Sequence, residues 1–300
     1  MTTNKQVMLH ITPSTTIAPA ITAYEFFLTD QGRSHHTIKA FSSDLQLLQT
    51  YFQPDKTLDS ITTIDLNNFL EWLQNERGIP CSPKTLSRRV TSLKSFFKWL
   101  SKNAVLALDP AEKVIQRTVL SPLPKVLSDT ETDSALITAG SFRRKAKPDA
   151  RPYALLLLLL NSGIKKNECL GIHINHIDLN GPDGPILKIR YQSPASRYKE
   201  RDLLLPIEWI DVFHEYVAQY QPTDNLFPWS PRRLEYILED ISEDAGVEKH
   251  ISFDMCRWTF ALNKYKDGVD QNKIRQDLGV SPIQWRELSN KLGKLALQEN

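Results

Sequence analysis

Residues 155–171 read LLLLLLNSGIKKNECLG. Six leucines in a row leave no polar side, so the helix they imply is a core helix, buried all round. Asn161-Ser162-Gly163 ends it: glycine supplies the backbone freedom of a helix terminus, and the short polar side chains satisfy loose main-chain groups. After Ile164, residues Lys165, Lys166, Asn167 and Glu168 open a second short helix, with Cys169, Leu170 and Ile172 as its apolar side. The stretch is a rigid mount for positive charge beside a core. Read alone, Lys165 and Lys166 fit better as two solvated lysines, because lysine is mostly exposed.

The chain of 300 residues suggests two domains. A formal net charge of +2 excludes a histone-like or basic-tail protein, so any nucleic-acid site is a local patch. Lys and Arg number 13 against 10 Asp and Glu up to residue 120, and 24 against 25 beyond it. Cys81, Cys169 and Cys256 are scattered without metal spacing, which predicts a reducing compartment, and no cofactor or metal is expected. No charged-then-apolar leader opens the text, and the leucine run is too short to span a bilayer. The expectation is a soluble cytoplasmic protein without membrane contact.

Polar, threonine-rich text over residues 1–19 predicts a flexible arm. Residues 20–106 are helical in pattern and predict a four-helix domain. Ile21, Tyr24, Phe26 and Phe27 form the first apolar face; Ser34 caps a second helix carrying Ile38, Phe41, Leu45, Leu48 and Phe52. Leu66, Phe69, Leu70 and Leu73 mark a third, and Ser82-Pro83 start a fourth with Leu86, Val90, Leu93, Phe96, Phe97 and Leu100 inward. The fourth helix's outer face holds Arg88, Arg89, Lys94 and Lys98 among Thr85, Ser87, Thr91 and Ser92. Cations mixed with short hydroxyls suit a phosphate backbone, and a solvated helix face fits them as well.

Residues 107–126, with Pro110, Arg117, Pro122 and Pro124, read as a linker, and 127–300 as a second domain. Ser128 with Glu131 is a good capping context for that domain's first helix. Arg143, Arg144, Lys145 and Lys147 make a basic loop before the leucine helix. Runs at 174–179, 186–191 and 202–205 predict a small antiparallel sheet. Helices then resume at 207–220, 231–245, 253–265, 271–278 and 283–292.

Several of these residues fall into one pattern. Ser162-Gly163-Ile164-Lys165-x-x-Glu168-x-Leu170 follows a leucine-rich helix; Lys199-Glu200-Arg201 enters a strand; Arg257 precedes Trp258-Thr259-Phe260-Ala261; and Leu278-Gly279-Val280-Ser281 comes later. Together they resemble the tyrosine recombinase (phage integrase) family over residues 20–292. The resemblance implies a mainly α fold with a small antiparallel β-sheet. It comprises an N-terminal four-helix SAM-like core-binding domain, matched by Thr37-Ile38 and Asp44-Leu45, and a C-terminal catalytic-type α+β domain. In that family the second and fourth helices of the first domain lie on DNA.

The family cleaves DNA by tyrosine attack on a phosphodiester, without metal. Two arginines grip the phosphate, a lysine protonates the leaving oxygen and two His-type groups assist. By this resemblance the first arginine falls at Lys165, the lysine at Ser196, the histidines at Asp254 and Val280, the second arginine at Arg257 and the nucleophile at Ser289. Lysine lacks the two-pronged donor of arginine. Asp254 sets an anion where phosphate must approach, unless a neighbouring cation pairs with it. No tyrosine follows Tyr265.

The resemblance therefore implies a DNA-binding pseudo-enzyme, accessory or regulatory in DNA recombination or integration. Arg88, Arg89, Lys94, Lys165, Arg197, Lys199, Arg201 and Arg257 would contact phosphate. The partners implied are double-stranded DNA and an active recombinase or a second copy, docked through Leu288, Leu292, Leu295 and Leu297. Two alternatives stay open: an active recombinase completed by a partner protomer, and a protein-interaction module that kept the fold.

Overall fold

The computed structural model describes residues 11–79, 81–115 and 122–298. The chain divides into two compact units, residues 1–121 and 122–300.

Among the described residues the first unit holds four α-helices: α1 Ile17–Asp30, α2 His35–Tyr51, α3 Thr63–Asn75 and α4 Pro83–Lys102. Each of the last three starts is chemically marked. Ser34 accepts from the Thr37 N–H, Thr62 and Asp65 cap one another, and Ser82 precedes a proline at the first helical position. The core gathers Tyr24, Leu45, Leu48, Phe69, Phe96, Phe97 and Trp99, and the Tyr24 hydroxyl donates to Ser95 at 2.7 Å.

Three expectations for this unit change. Phe26 is 49% exposed, because two residues from Tyr24 is about 200° round a 3.6-residue helix. Ser92 is buried on Asp44 rather than offered to solvent. The arm is tied down by residue 13: the N–H groups of Leu58 and Asp59 donate to the carbonyls of Thr15 and Pro13. Residues 1–10 lie outside the described ones. The linker is also shorter than expected. Ala111 and Val114 sit in the first core, while Val126 is already buried in a core of the second unit. Residues 116–121, Arg117 among them, lie outside the described residues.

The second unit is built around α6, Arg151–Ser162, whose Leu155 to Leu159 are all buried. Packed on α6 are α5 Asp129–Ser141, α8 Trp209–Tyr220, α9 Pro231–Asp244 and α10 Phe253–Lys266. The short α7, Lys166–Leu170, follows α6. The sheet runs β1 Ile177–Asp178, β2 Ile186–Ile189 and β3 Arg201–Leu204, antiparallel in that order, with Ile189 opposite Arg201. The expected first strand is mostly a 3₁₀ turn, Ile174–His176. Finally α11 Gln271–Asp277 and α12 Pro282–Gln298 close a second small core on Phe260, Ile274 and Leu278.

Helix α12 is six residues longer at its C-terminal end than periodicity predicted, and it packs on α10. Leu292 and Leu295 are buried and Leu288 partly buried in their own unit; only Leu297 of the expected docking stripe is exposed. That stripe is consumed within the chain. No helix among the described residues is long and apolar enough to cross a membrane.

Candidate nucleic-acid interface

The site grows from the end of α6. Gly163 adopts φ +57°, and a Cβ there would collide with the Phe260 ring, so only glycine fits. Its carbonyl accepts from Arg257 Nη1 at 2.5 Å, while Nη2 donates to the Leu278 carbonyl at 2.6 Å. Arg257 is thus 8% exposed and staples α10 to the end of α6 and the end of α11. Burial lowers its guanidinium to about 10, against the opposing pull of the Glu168 charge.

Glu168 organises the next layer. Its carboxylate accepts from the Lys165 N–H at 2.8 Å, from Arg201 at 2.9 and 3.1 Å, and from the Tyr191 hydroxyl. Burial alone would raise this carboxyl, but the hydrogen bonds and charge of Arg201 hold it down at about 2. Burial and the same carboxylate push the Tyr191 phenol up to about 12. The remaining Arg201 donors go to the carbonyls of Asp277 and Lys199, at 2.6 and 3.1 Å. Gly279 is held to glycine because a Cβ would lie 2.5 Å from Arg201 Nη1. The expected phosphate role of Arg201 does not fit: its guanidinium is buried and its donors are occupied inside the protein.

Beside this frame lies a cleft of about 1040 Å³. Lys165, Lys166, Arg232 and Arg257 bring positive charge to its walls; Glu235, Glu239 and Asp254 bring negative. Lys166 pairs with Glu235 at 2.7 Å. Burial, reinforced by the Arg257 charge, pushes the Lys165 ammonium below the ordinary lysine range. Asp254 is exposed on the first turn of α10 and makes no ion pair within 4 Å among the described residues, though its charge acts on Arg257. Tyr236, 40% exposed, also lines the cleft, its hydroxyl accepting from Arg232 Nε at 2.7 Å. Sequence reasoning missed Tyr236, because its helix lies far along the chain from the expected nucleophile position.

The other positions lie elsewhere. Ser196 sits in the 3₁₀ segment Pro194–Lys199 and does not line the cleft. Val280 packs into the second small core, and its carbonyl accepts from Arg275. Ser289 donates to the Arg286 carbonyl at 3.3 Å and lines a separate pocket of about 530 Å³ with Tyr265. Arg197 is exposed, and the Lys199 charge is felt at Lys165. The basic loop is partly neutralised, Arg143 by Glu215 and Lys145 by Asp244.

In the first unit Asp44, fully buried, accepts from Arg88 at 2.6 Å and from Ser92 at 2.7 Å, and pairs with Arg89 at 3.6 Å. Burial raises the Asp44 carboxyl, and Ser92 and the two arginines restrain it. The Arg88 side chain stays 42% exposed, whereas that of Arg89 is 11% exposed, turned onto Asp44 and Cys81. Arg89 therefore does not fit the outward phosphate face expected of it. Lys94 donates to the Glu112 carbonyl at 3.2 Å.

A four-helix unit, then a helical unit with a three-stranded sheet and a buried arginine beside a cleft of mixed charge, define an integrase-type architecture. Residues 21–103 match the phage integrase N-terminal SAM-like domain, and residues 129–285 match the phage integrase family. The chain belongs to the phage integrase family. It is 24% identical over 288 residues to tyrosine recombinase XerD of Listeria innocua, covering 91% of this chain and 94% of that protein. With tyrosine recombinase XerC of Corynebacterium glutamicum the figures are 26% over 274 residues, 89% and 85%. Among solved structures, a lambda integrase dimer on a COC′ core site superposes with a TM-score of 0.72 at 12% identity, covering 96% of this chain and 81% of that one. XerH on a palindromic difH substrate gives 0.71 at 19%, covering 100% and 84%.

Proposed function

We propose that this protein binds double-stranded DNA as an accessory or regulatory member of its family and does not itself cleave the strand. Relatives are named as tyrosine recombinases, and the superposed chains were solved on DNA. The observation that carries the silent reading is the place of Ser289. It lies on a face of α12 that lines the Tyr265 pocket, away from the cleft of Lys165 and Arg257. A serine hydroxyl is also far less acidic than a phenol, and no histidine or carboxylate among the described residues lines its pocket. Arg257 gives two of its donors to carbonyls, and Asp254 repels an incoming phosphate.

The phosphate contacts in this reading are Lys165, Arg197, Lys199 and the open edge of Arg257 in the second unit, with Arg88 and Lys94 in the first. Arg201 and Arg89 are left out as structural cations. The test is duplex binding as salt is varied. Counterion release predicts about a thousandfold loss of affinity between roughly 50 and 200 mM salt for about six phosphate contacts. A flat salt dependence contradicts the reading.

One observation favours a second reading, a chain that cleaves with a displaced phenol. Tyr236 opens on the same cleft as Lys165 and Arg257 and is held by Arg232. That reading requires a covalent adduct on Tyr236 that Tyr236→Phe abolishes.

A further inference from the structure

The loop between β2 and β3 carries an aromatic ring in an unusual setting. Tyr198 is 69% exposed, although a tyrosine ordinarily hides the apolar body of its ring. The loop is nonetheless ordered as the 3₁₀ segment Pro194–Lys199: the Ser196 N–H donates to the Ser193 carbonyl and the Glu200 N–H to the Arg197 carbonyl, both at 2.9 Å. Its far end is fastened to the site. The Lys199 carbonyl accepts from Arg201, whose guanidinium also holds Glu168, and Glu168 in turn receives the Lys165 N–H. The Glu200 carboxylate takes the Tyr191 N–H at 3.0 Å. The Lys199 ammonium lies 5.0 Å from the centre of the Tyr198 ring, and Arg197, the preceding residue, is exposed.

An exposed ring with a cation 5.0 Å from its centre and an exposed arginine next to it in sequence, mounted on the frame that holds Lys165, has the chemistry that holds a nucleobase. Any base offers a π-face, and the cations take the phosphates beside it. In continuous duplex the bases stack on one another and present no free face. The ring finds a partner only where a base has left the stack. We propose that Tyr198 stacks on an unpaired nucleobase, so that the chain prefers duplex interrupted by an unstacked base to continuous duplex. The inference rests on the DNA-binding reading above and names the kind of DNA that site takes.

The probe is a duplex bearing one unpaired 2-aminopurine, titrated with the full chain at low salt beside the same duplex fully paired. The interrupted duplex should bind about tenfold more tightly, and 2-aminopurine fluorescence should fall on binding. Tyr198→Phe should keep both effects. Tyr198→Ala should lose both while affinity for paired duplex changes by less than about twofold. Equal binding of the two duplexes by the wild type, or a preference that survives Tyr198→Ala, overturns the stacking inference and leaves the DNA-binding reading standing. A Tyr198→Ala variant altered in self-association but not in its preference overturns the stacking inference as well. Absence of salt-sensitive binding to either duplex overturns both.

Discussion

Two arginines expected to meet phosphate are instead held by buried carboxylates, and the substitutions that show it differ in what they damage. Arg201→Ala leaves Glu168 buried without its cation, so unfolding in denaturant should show a loss of about 3–5 kcal/mol. A loss under about 1 kcal/mol would mean that the pair is not the frame of the site. The Glu168 carboxyl is depressed in the folded chain, so its stabilising contribution is complete above its unfolded value near 4.5. It is lost as pH falls from there toward about 2, and acid unfolding of Glu168→Gln should lack that component. In the first unit, Arg88→Ala should weaken DNA binding on any sequence and reduce the salt slope by about one. Arg89→Ala should lower the melting temperature and leave that salt slope unchanged, because it removes a nearly buried partner of buried Asp44 and no outward cation. The Lys165 and Arg257 positions were legible in the sequence because glycine, glutamate and leucine frame the first, and threonine, phenylalanine and alanine the second, at fixed local spacing. The Glu168–Arg201 pair was not, since its partners are 33 residues apart and meet only through the hairpin.

At the scale of elements, periodicity located the helices because their apolar faces repeat at helical spacing, as in Leu66, Phe69, Leu70 and Leu73 of α3. Boundaries were less legible. The text at 174–176 is short, and such runs do not separate strand from turn. Helix α12 outran its expected end because Leu292 and Leu295 continue its stripe onto Phe260 and Ile274, a contact that local sequence does not encode. That packing makes α12 part of the second unit's core. Leu292→Ala should therefore destabilise the protein by about 2–5 kcal/mol in chemical denaturation, as for other fully buried leucines. A neutral result would return the stripe to a partner. Ser289→Tyr should add a phenol to the Tyr265 pocket rather than to the cleft, and so give no strand cleavage.

For the whole molecule, a formal charge of +2 leaves no general attraction to nucleic acid, so binding depends on local cations in each unit. The family was legible in the sequence because the residues that frame its motifs, Gly163, Glu168, Thr259 and Gly279 among them, stand at fixed local spacing. Gly163 and Gly279 remain because backbone and packing geometry demand them, whatever chemistry the cleft performs. In the silent function proposed, a site missing several transition-state groups is not rescued by those that stay, because such groups act as one unit. The direct test is a covalent-adduct assay on a nicked suicide substrate, at a salt concentration where the wild-type protein is shown to bind the same DNA. A silent DNA-binding chain should bind fully and form no protein–DNA adduct, with or without divalent metal. An adduct mapped to Tyr236, to Ser289 or to any other residue of this chain would contradict that function.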